Sequence, residues 1–147
     1  MRKSKPPVYV LTAFVTMLAV HFLVPIARII AFPWRLLGGV PFLLGTALAV
    51  RALQLFKLHK TTPEPFGASR ALVTSGPYSV TRNPMYLGIL LMFSGVACLL
   101  GTAAPWIVVL ALGGVFDVIY IRREEGKMEE KFGDAYRHYK AQVRRWI

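Results

Sequence analysis

The chain has 147 residues, of which 55% are hydrophobic, and it carries a formal net charge of +11 at pH 7. With a mean hydropathy of +0.50 it is too apolar for an ordinary soluble domain, and we predict one small integral membrane domain covering residues 1–147. Its Lys and Arg residues cluster at the ends of apolar runs, as the cytoplasmic flanks of membrane helices do, which argues against nucleic acid as a partner.

The first apolar run predicts a retained transmembrane helix. Residues 8–27 are long enough to span a bilayer and follow the basic residues Arg2, Lys3 and Lys5. A secretory signal begins similarly, but no small-residue cleavage site closes this run, and further spans follow. His21 lies near the far end of the helix. A histidine inside a membrane is a functional candidate, but here we favour a helix-packing or interfacial role.

Residues 36–56 predict the second span, after a short turn at residues 28–35. Small residues in this span allow a neighbouring helix to approach closely: Gly38, Gly39 and Gly45. Arg51 lies inside the predicted end of the span. It either extends its guanidinium to the lipid headgroups or contacts a ligand.

The longest polar region, residues 58–83, ends in a stretch that leads into the next apolar run. Gly76-Pro77 predicts a turn, and Asn83-Pro84 predicts a helix start with Asn as the cap acceptor and Pro in the first turn. A loop of this length in so small a protein is often functional. We therefore expect a candidate site where the loop enters the helix.

Polar side chains gather at this predicted helix start: Tyr78, Arg82, Asn83 and Tyr86. A helix N-terminus presents free backbone N–H groups and the positive end of the helix dipole, so it can hold an anionic group of a ligand. The positive charge of Arg82 reinforces that preference. The pattern indicates a binding site for a ligand with an anionic group.

Two further spans are predicted at residues 84–100 and 104–121, joined by residues 101–103. So short a joint forces an antiparallel helical hairpin. The start of the third span and the end of the fourth therefore lie on the same side of the membrane. The distribution of Lys and Arg predicts that this side is cytoplasmic, together with both termini.

Three carboxylates occur near the end of the fourth span: Asp117, Glu124 and Glu125. A carboxylate near the C-terminal end of a helix opposes the helix dipole, so Glu124 and Glu125 require a compensating partner. Asp117 and Glu124 are seven positions apart, two turns along one helix face, and together can meet a cationic ligand. The alternative is pairing within the protein, with Arg122, Arg123 or Lys127.

The tail, residues 122–147, repeats apolar side chains at spacings of three and four: Met128, Phe132, Tyr136, Tyr139 and Val143. This pattern is typical of a helix that lies on a membrane or caps a bundle, and we interpret the stripe as a packing face. Gly133 ends one predicted helix and Asp134 caps the next. The predicted fold is an all-α membrane bundle of four transmembrane helices, with a cytoplasmic loop and amphipathic C-terminal helices.

Three segments together resemble the isoprenylcysteine carboxyl methyltransferase family and its phospholipid methyltransferase relatives. They are Leu72 to Tyr78, Arg82 to Tyr86, and Glu124-Glu125 with Phe132-Gly133, Tyr136, Tyr139 and Val143 to Arg145. Each piece alone is a weak signal, whereas their order and spacing over residues 58–147 are specific. The resemblance implies an integral membrane enzyme that binds S-adenosylmethionine at the cytoplasmic end of the last two spans.

By position, the resemblance implies a cofactor-binding set comprising Arg70, Ala71, Leu72, Val73, Tyr78, Asn83, Tyr86 and Glu124. Asn83 stands where many members have His, and an amide cannot titrate, so a proton-transfer role does not carry over to it. Arg82 and Glu125 are the candidate catalytic residues, with Glu125 as a base if the acceptor is an amine. Tyr120 and Arg123 are the candidate substrate contacts.

The chemistry of methyl transfer agrees with this set of residues. Carboxylates attract a sulfonium and an ammonium, Arg82 or a helix N-terminus holds a carboxylate, and apolar side chains enclose an adenine. The displacement is in line and requires no metal, and we expect an apolar or lipid-like acceptor that enters from the lipid. The alternatives are a non-catalytic membrane subunit or small transporter in which Arg51 pairs with Asp117, and a cofactor sensor.

Overall fold

The computed structural model describes residues 6–24, 26–59 and 71–147. This part of the chain is helical and contains no strand. Its helices are α1 (Pro6–Leu23), α2 (Gly39–Leu58), α3 (Pro84–Leu100), α4 (Ala104–Val115), α5 (Arg122–Phe132) and α6 (Asp134–Gln142), with 3-10 helices at Trp34–Gly38 and Gly76–Ser79 and a π-helix at Phe116–Ile121. The all-helical fold class is confirmed.

Two helical stretches are long and apolar enough to cross a membrane, judged by length and composition: Trp34–Leu58 and Ala104–Phe132. They correspond to the second and fourth predicted spans. Val8–Leu23 and Pro84–Leu100 are apolar but shorter, so the four-span bundle remains a prediction. The helix α1 ends at Leu23, before the predicted residue 27, because the chain approaches Pro25 and a proline disfavours helix in the residue preceding it.

The described residues form two compact units, one from the ranges 1–44 and 90–114 and the other from 45–89 and 115–147. In the first unit, the joint between α3 and α4 is tied to the segment after α1. The carbonyl of Gly101 accepts bonds from the backbone N–H groups of Ile29 and Ile30, at 2.9 and 3.1 Å. His21 Nδ1 lies 2.8 Å from Thr102 Oγ1, so this histidine ties α1 to the same joint.

The second unit contains the candidate site and is held by α2, α3 and the C-terminal helices. Ala52, Val73 and Tyr78 form an apolar cluster in it. Tyr136 and Tyr139 of α6 are also buried, with 6.1 Å between their ring centroids. The interpretation of the tail stripe as a packing face is therefore confirmed for these two tyrosines.

The break between α5 and α6 lies where the sequence predicted it, but its cap differs. Gly133 occupies the N-cap position, and Asp134 is the first residue of α6. The prediction of Asp134 as the cap is therefore wrong. Its carboxylate pairs instead with Arg137 Nη1, at 3.1 Å within the first turn, because a side chain inside the helix reaches the residue three positions ahead.

Gly88 of α3 lies where α3 packs against α2. A Cβ atom at this position would lie 2.7 Å from the carbonyl oxygen of Gly45 and 3.0 Å from the backbone nitrogen of Ala49. We expect Gly88→Ala to lower stability by about 1–3 kcal/mol, because the two backbones must separate. The measurement is the thermal unfolding midpoint of the purified protein in detergent.

The matched control is Gly114→Ala in α4, where an added Cβ meets nothing within 4 Å. This control should keep or slightly raise the midpoint, since Ala favours a helix over Gly. Equal midpoints for the two variants would show that the close approach at Gly88 does not limit stability.

Candidate functional site

The turn that carries Tyr78 is fixed by Gly76, whose φ of +61° lies in the left-handed region that glycine adopts without strain. The turn packs the Tyr78 ring edge-on against Phe56, with 5.4 Å between the ring centroids. Tyr139 donates its hydroxyl to the Tyr78 carbonyl at 2.6 Å. Burial raises the pKa of the Tyr78 hydroxyl well above its ordinary value, so this group stays protonated.

The other members of the predicted cofactor segment lie just before this turn. Val73 is buried in the same apolar cluster as Tyr78, and Ala71 and Leu72 are half-buried. Arg70 lies outside the described residues. The structure therefore brings Val73 of the predicted segment together with Tyr78.

Asn83 occupies the N-cap position of α3, as predicted. Its carbonyl accepts the first intrahelical bond, from the N–H of Leu87 at 3.0 Å, and Pro84 is the first helical residue. The side-chain amide is used in a different contact, since its Nδ2 donates to the carbonyl of Arg145 at 3.0 Å. Asn83 thus joins the start of α3 to the C-terminal tail.

Tyr86, in the first turn of α3, contacts the carboxylate of Glu124. Its hydroxyl donates a hydrogen bond to Glu124 Oε1 at 2.7 Å. The centroid of its ring lies 4.8 Å from the ring centroid of Phe116. Burial raises the pKa of the Glu124 carboxyl to about 7, although the Tyr86 bond and the charge of Lys127 act in the opposite direction. Glu124 is therefore a half-buried acid whose pKa lies near neutral pH.

A π-helical segment, Phe116–Ile121, changes the register of the helix that carries the acids. Here the N–H of Arg122 bonds the carbonyl of Asp117, five positions back, so the segment contains one residue more than α-helical turns would hold. As a result Asp117 and Glu125, eight positions apart, both bind Arg145. The prediction that Asp117 and Glu124 share one face is wrong for this reason.

Glu125 is buried between two guanidinium groups. Arg145 binds it in a bidentate manner, with Nε to Oε1 at 3.1 Å and Nη2 to Oε2 at 2.8 Å. Arg82 Nη2 lies 3.1 Å from Oε1, and the Glu125 side chain is only 7% exposed. The expected pairing within the protein thus occurs for Glu125, but with Arg82 and Arg145, which are remote from it in sequence.

Arg82 is also buried, with 9% of its side chain exposed. Apart from the bond to Glu125, its Nε and Nη1 are buried without a hydrogen-bond partner among the described residues. Leaving buried donors unused is costly, so such groups usually bind an ion, a water or a ligand. The two nitrogen atoms are suited to an oxygen anion, as predicted for this arginine.

The two predicted substrate contacts have different environments. Tyr120 is buried in the π-helical segment, with its ring centroid 6.1 Å from that of Tyr86. Arg123 is exposed on α5. The structure thus brings Tyr120, but not the side chain of Arg123, into the aromatic surroundings of Glu124.

The sequence reasoning gave Arg145 no role, although its guanidinium binds both Glu125 and Asp117. The signal was its place in the segment from Val143 to Arg145, which is part of the family resemblance. The alternative pair of Asp117 with Arg51 is wrong, because Asp117 binds Arg122 and Arg145, each at 3.2 Å, and Arg51 is exposed.

Two helical stretches of membrane-spanning length and a buried cluster of polar side chains are features of a membrane protein with a candidate ligand site. The family profile described as phospholipid methyltransferase matches residues 33–135 of the chain. The chain therefore belongs to the phospholipid methyltransferase family, which confirms the resemblance and implies methyltransferase activity. It is also similar to an uncharacterized protein of Haemophilus influenzae, with 43% identity over 63 residues that cover 43% of this chain and 100% of that protein.

We expect Glu125→Gln to lower the stability of the protein by about 3 kcal/mol, because it removes a buried carboxylate shared by Arg82 and Arg145. The matched control is Glu129→Gln, which removes a carboxylate that also binds two cations, Arg137 and Lys140, at a more exposed place. Exposed ion pairs contribute little, so the unfolding midpoint of this control should change far less. Equal decreases in the unfolding midpoints of the two variants would contradict the conclusion that the buried Glu125 stabilises the protein.

Proposed function

We propose that this protein is an S-adenosylmethionine-dependent methyltransferase of the membrane that acts on an apolar or lipid-like acceptor. The observation that carries the proposal is the half-buried Glu124 carboxyl, which accepts a hydrogen bond from Tyr86 at 2.7 Å and whose pKa is raised by burial, in a chain of a methyltransferase family. When bound, S-adenosylmethionine supplies a methyl group on a positively charged sulfur. The residues of the second unit fit the three chemical parts of this cofactor.

The cationic part of the cofactor fits Glu124. Its pKa is raised by burial, which means that the ionised form lacks sufficient compensation in the free protein. The positive charge of a ligand sulfonium or ammonium close to the carboxylate supplies that compensation. Tyr86 holds one carboxylate oxygen by its hydroxyl and thereby orients the group.

The anionic part fits Arg82 and the start of α3. Arg82 has two buried donors without a partner in the described part of the chain, Nε and Nη1, and Asn83 is the N-cap of the helix. A carboxylate oxygen can accept a charge-assisted hydrogen bond from either of these donors, and it is favoured by the positive end of the helix dipole. When a ligand carboxylate binds here, the free-energy cost of leaving these buried donors without a hydrogen bond is reduced.

The adenine requires apolar side chains and a hydrogen-bonding edge. Val73 and Tyr78 already form part of one apolar cluster, and Leu72, which precedes Val73 in the chain, is half-buried. Because the hydroxyl of Tyr78 stays protonated, this residue can contribute an aromatic face and a donor, but not a base. These residues are the walls that we assign to the base of the cofactor.

The acceptor is proposed to be one that needs no base. Both oxygens of Glu125 already accept bonds from guanidinium groups, so its geometry supports a positioning role over proton abstraction. A carboxylate or thiolate acceptor attacks the methyl group unaided, and the protein then mainly aligns the reactants and excludes water. The apolar helices support entry of the acceptor from the lipid; methylation of water-soluble acceptors alone would contradict lateral entry.

We expect Glu124→Gln and Tyr78→Ala each to weaken the binding of S-adenosylhomocysteine about ten-fold or more. The first variant removes the charge that compensates the ligand ammonium, and the second removes an apolar wall. Isothermal titration calorimetry of the purified protein in detergent measures both effects.

The control for that measurement is Glu130→Gln, which removes an exposed carboxylate from the same helix and should leave the affinity within about two-fold. If both site variants bind the ligand as tightly as the unmodified protein does, the site assignment is wrong.

The affinity for S-adenosylmethionine should fall as the pH drops through about 7, the pKa of Glu124 in the free protein. A cationic ligand binds the ionised carboxyl, so below this pKa a proton must first leave, and each pH unit weakens binding by up to about ten-fold. In the protein without ligand, the raised pKa affects folding stability in the opposite direction. The unfolded chain ionises Glu124 at a lower pH than the folded protein does, so the free energy of unfolding falls as the pH rises towards 7.

The pH prediction is measured by calorimetry from pH 5.5 to 8, in buffers of different ionisation enthalpy, so that proton release is counted directly. The ligand itself also titrates, and therefore the comparison is between the unmodified protein and Glu124→Gln. In Glu124→Gln, the change in affinity near pH 7 should be absent. An unchanged pH profile in Glu124→Gln would refute the role of this carboxyl.

A further inference from the structure

The segment after α6 places the side chain of Arg145 at the centre of the site. Its guanidinium bonds both oxygens of Glu125, at 3.1 and 2.8 Å, and reaches Asp117 Oδ1 at 3.2 Å. No step of the proposed function uses this arginine. Its position therefore needs an explanation of its own.

The tail is anchored by its backbone independently of that side chain. The carbonyl of Arg145 accepts bonds from Thr81 Oγ1 at 3.1 Å and Asn83 Nδ2 at 3.0 Å. The carbonyl of Arg144 accepts a bond from the N–H of Arg82 at 3.0 Å. A substitution of the Arg145 side chain retains all three bonds, so its effect can be separated from loss of the tail.

The Arg145 side chain controls how Glu125 meets Arg82. Because Arg145 binds both oxygens of Glu125, the carboxylate contacts Arg82 only through Nη2, at 3.1 Å. The Nε and Nη1 of Arg82 are left with no partner within the described ranges. Without Arg145, the buried carboxylate of Glu125 would lie beside a guanidinium with unused donors, and electrostatic attraction would draw it onto one of them, next to the Nη2 that it already contacts.

We infer that Arg145 is a positioning residue that holds Glu125 away from the Nε and Nη1 of Arg82, so that these donors remain available for the carboxylate of the cofactor. The inference rests on the proposed function, because it concerns the same ligand. It adds a specific role for the C-terminal tail. Arg145 itself does not touch the ligand but acts through Glu125 and Arg82.

The test compares two ligands by calorimetry: S-adenosylhomocysteine, which has the carboxylate, and 5′-methylthioadenosine, which lacks it. Arg145→Gln should weaken the first about ten-fold or more and change the second by less than about two-fold. The matched control is Arg144→Gln, which removes the same charge from the neighbouring exposed side chain. This control should leave both affinities within about two-fold.

The double variant Arg145→Gln with Glu125→Gln distinguishes positioning from a merely structural role. Removal of the Glu125 charge frees Arg82 again, so the double variant should recover most of the lost affinity for S-adenosylhomocysteine. A structural role predicts a further loss. Should Arg145→Gln not fold, Arg145→Lys against Arg144→Lys provides the same comparison with the charge retained.

Three outcomes would overturn the inference: equal weakening of the two ligands, equal effects at positions 144 and 145, or no recovery in the double variant. These outcomes differ from failure of the proposed function. If the unmodified protein bound neither ligand, the proposed function would fail before the role of Arg145 was tested.

Discussion

The second unit depends on one buried carboxylate that is shared by two guanidinium groups. Glu125 lies within bonding distance of Arg82, from the loop before α3, and of Arg145, from the tail. A buried charge is tolerated only where opposite charges and hydrogen bonds replace water. Three segments distant in sequence must therefore meet at this point.

Glu124 and Glu125 are adjacent in α5, but their chemistry differs because their partners differ. Glu125 meets two cations, whereas Glu124 meets the neutral hydroxyl of Tyr86 and has a pKa raised to about 7 by burial. The first carboxylate is satisfied within the protein and the second is not. This contrast is why we assign structure and positioning to Glu125 and the binding of a cation to Glu124.

Local sequence signals predicted two of the helix boundaries. Asn83-Pro84 marked the start of α3, and Gly133 marked the break before α6, because capping and helix termination depend on neighbouring residues. The grouping of Tyr78, Tyr86 and Glu124 followed from the hairpin and from family resemblance. The partners of Glu125 could not be predicted, since they depend on a π-helical register shift and on the path of the tail, which no local pattern specifies.

The central claim is that the buried site around Glu124 supports methyl transfer to a lipid-like acceptor. The most direct measurement is the transfer of labelled methyl from S-adenosylmethionine to membrane lipid extract by purified protein, comparing the unmodified chain with folded Glu124→Gln. We predict an apolar labelled product, formed at least about ten-fold more slowly at low cofactor concentration by the variant. Equal rates for the two proteins would contradict the account.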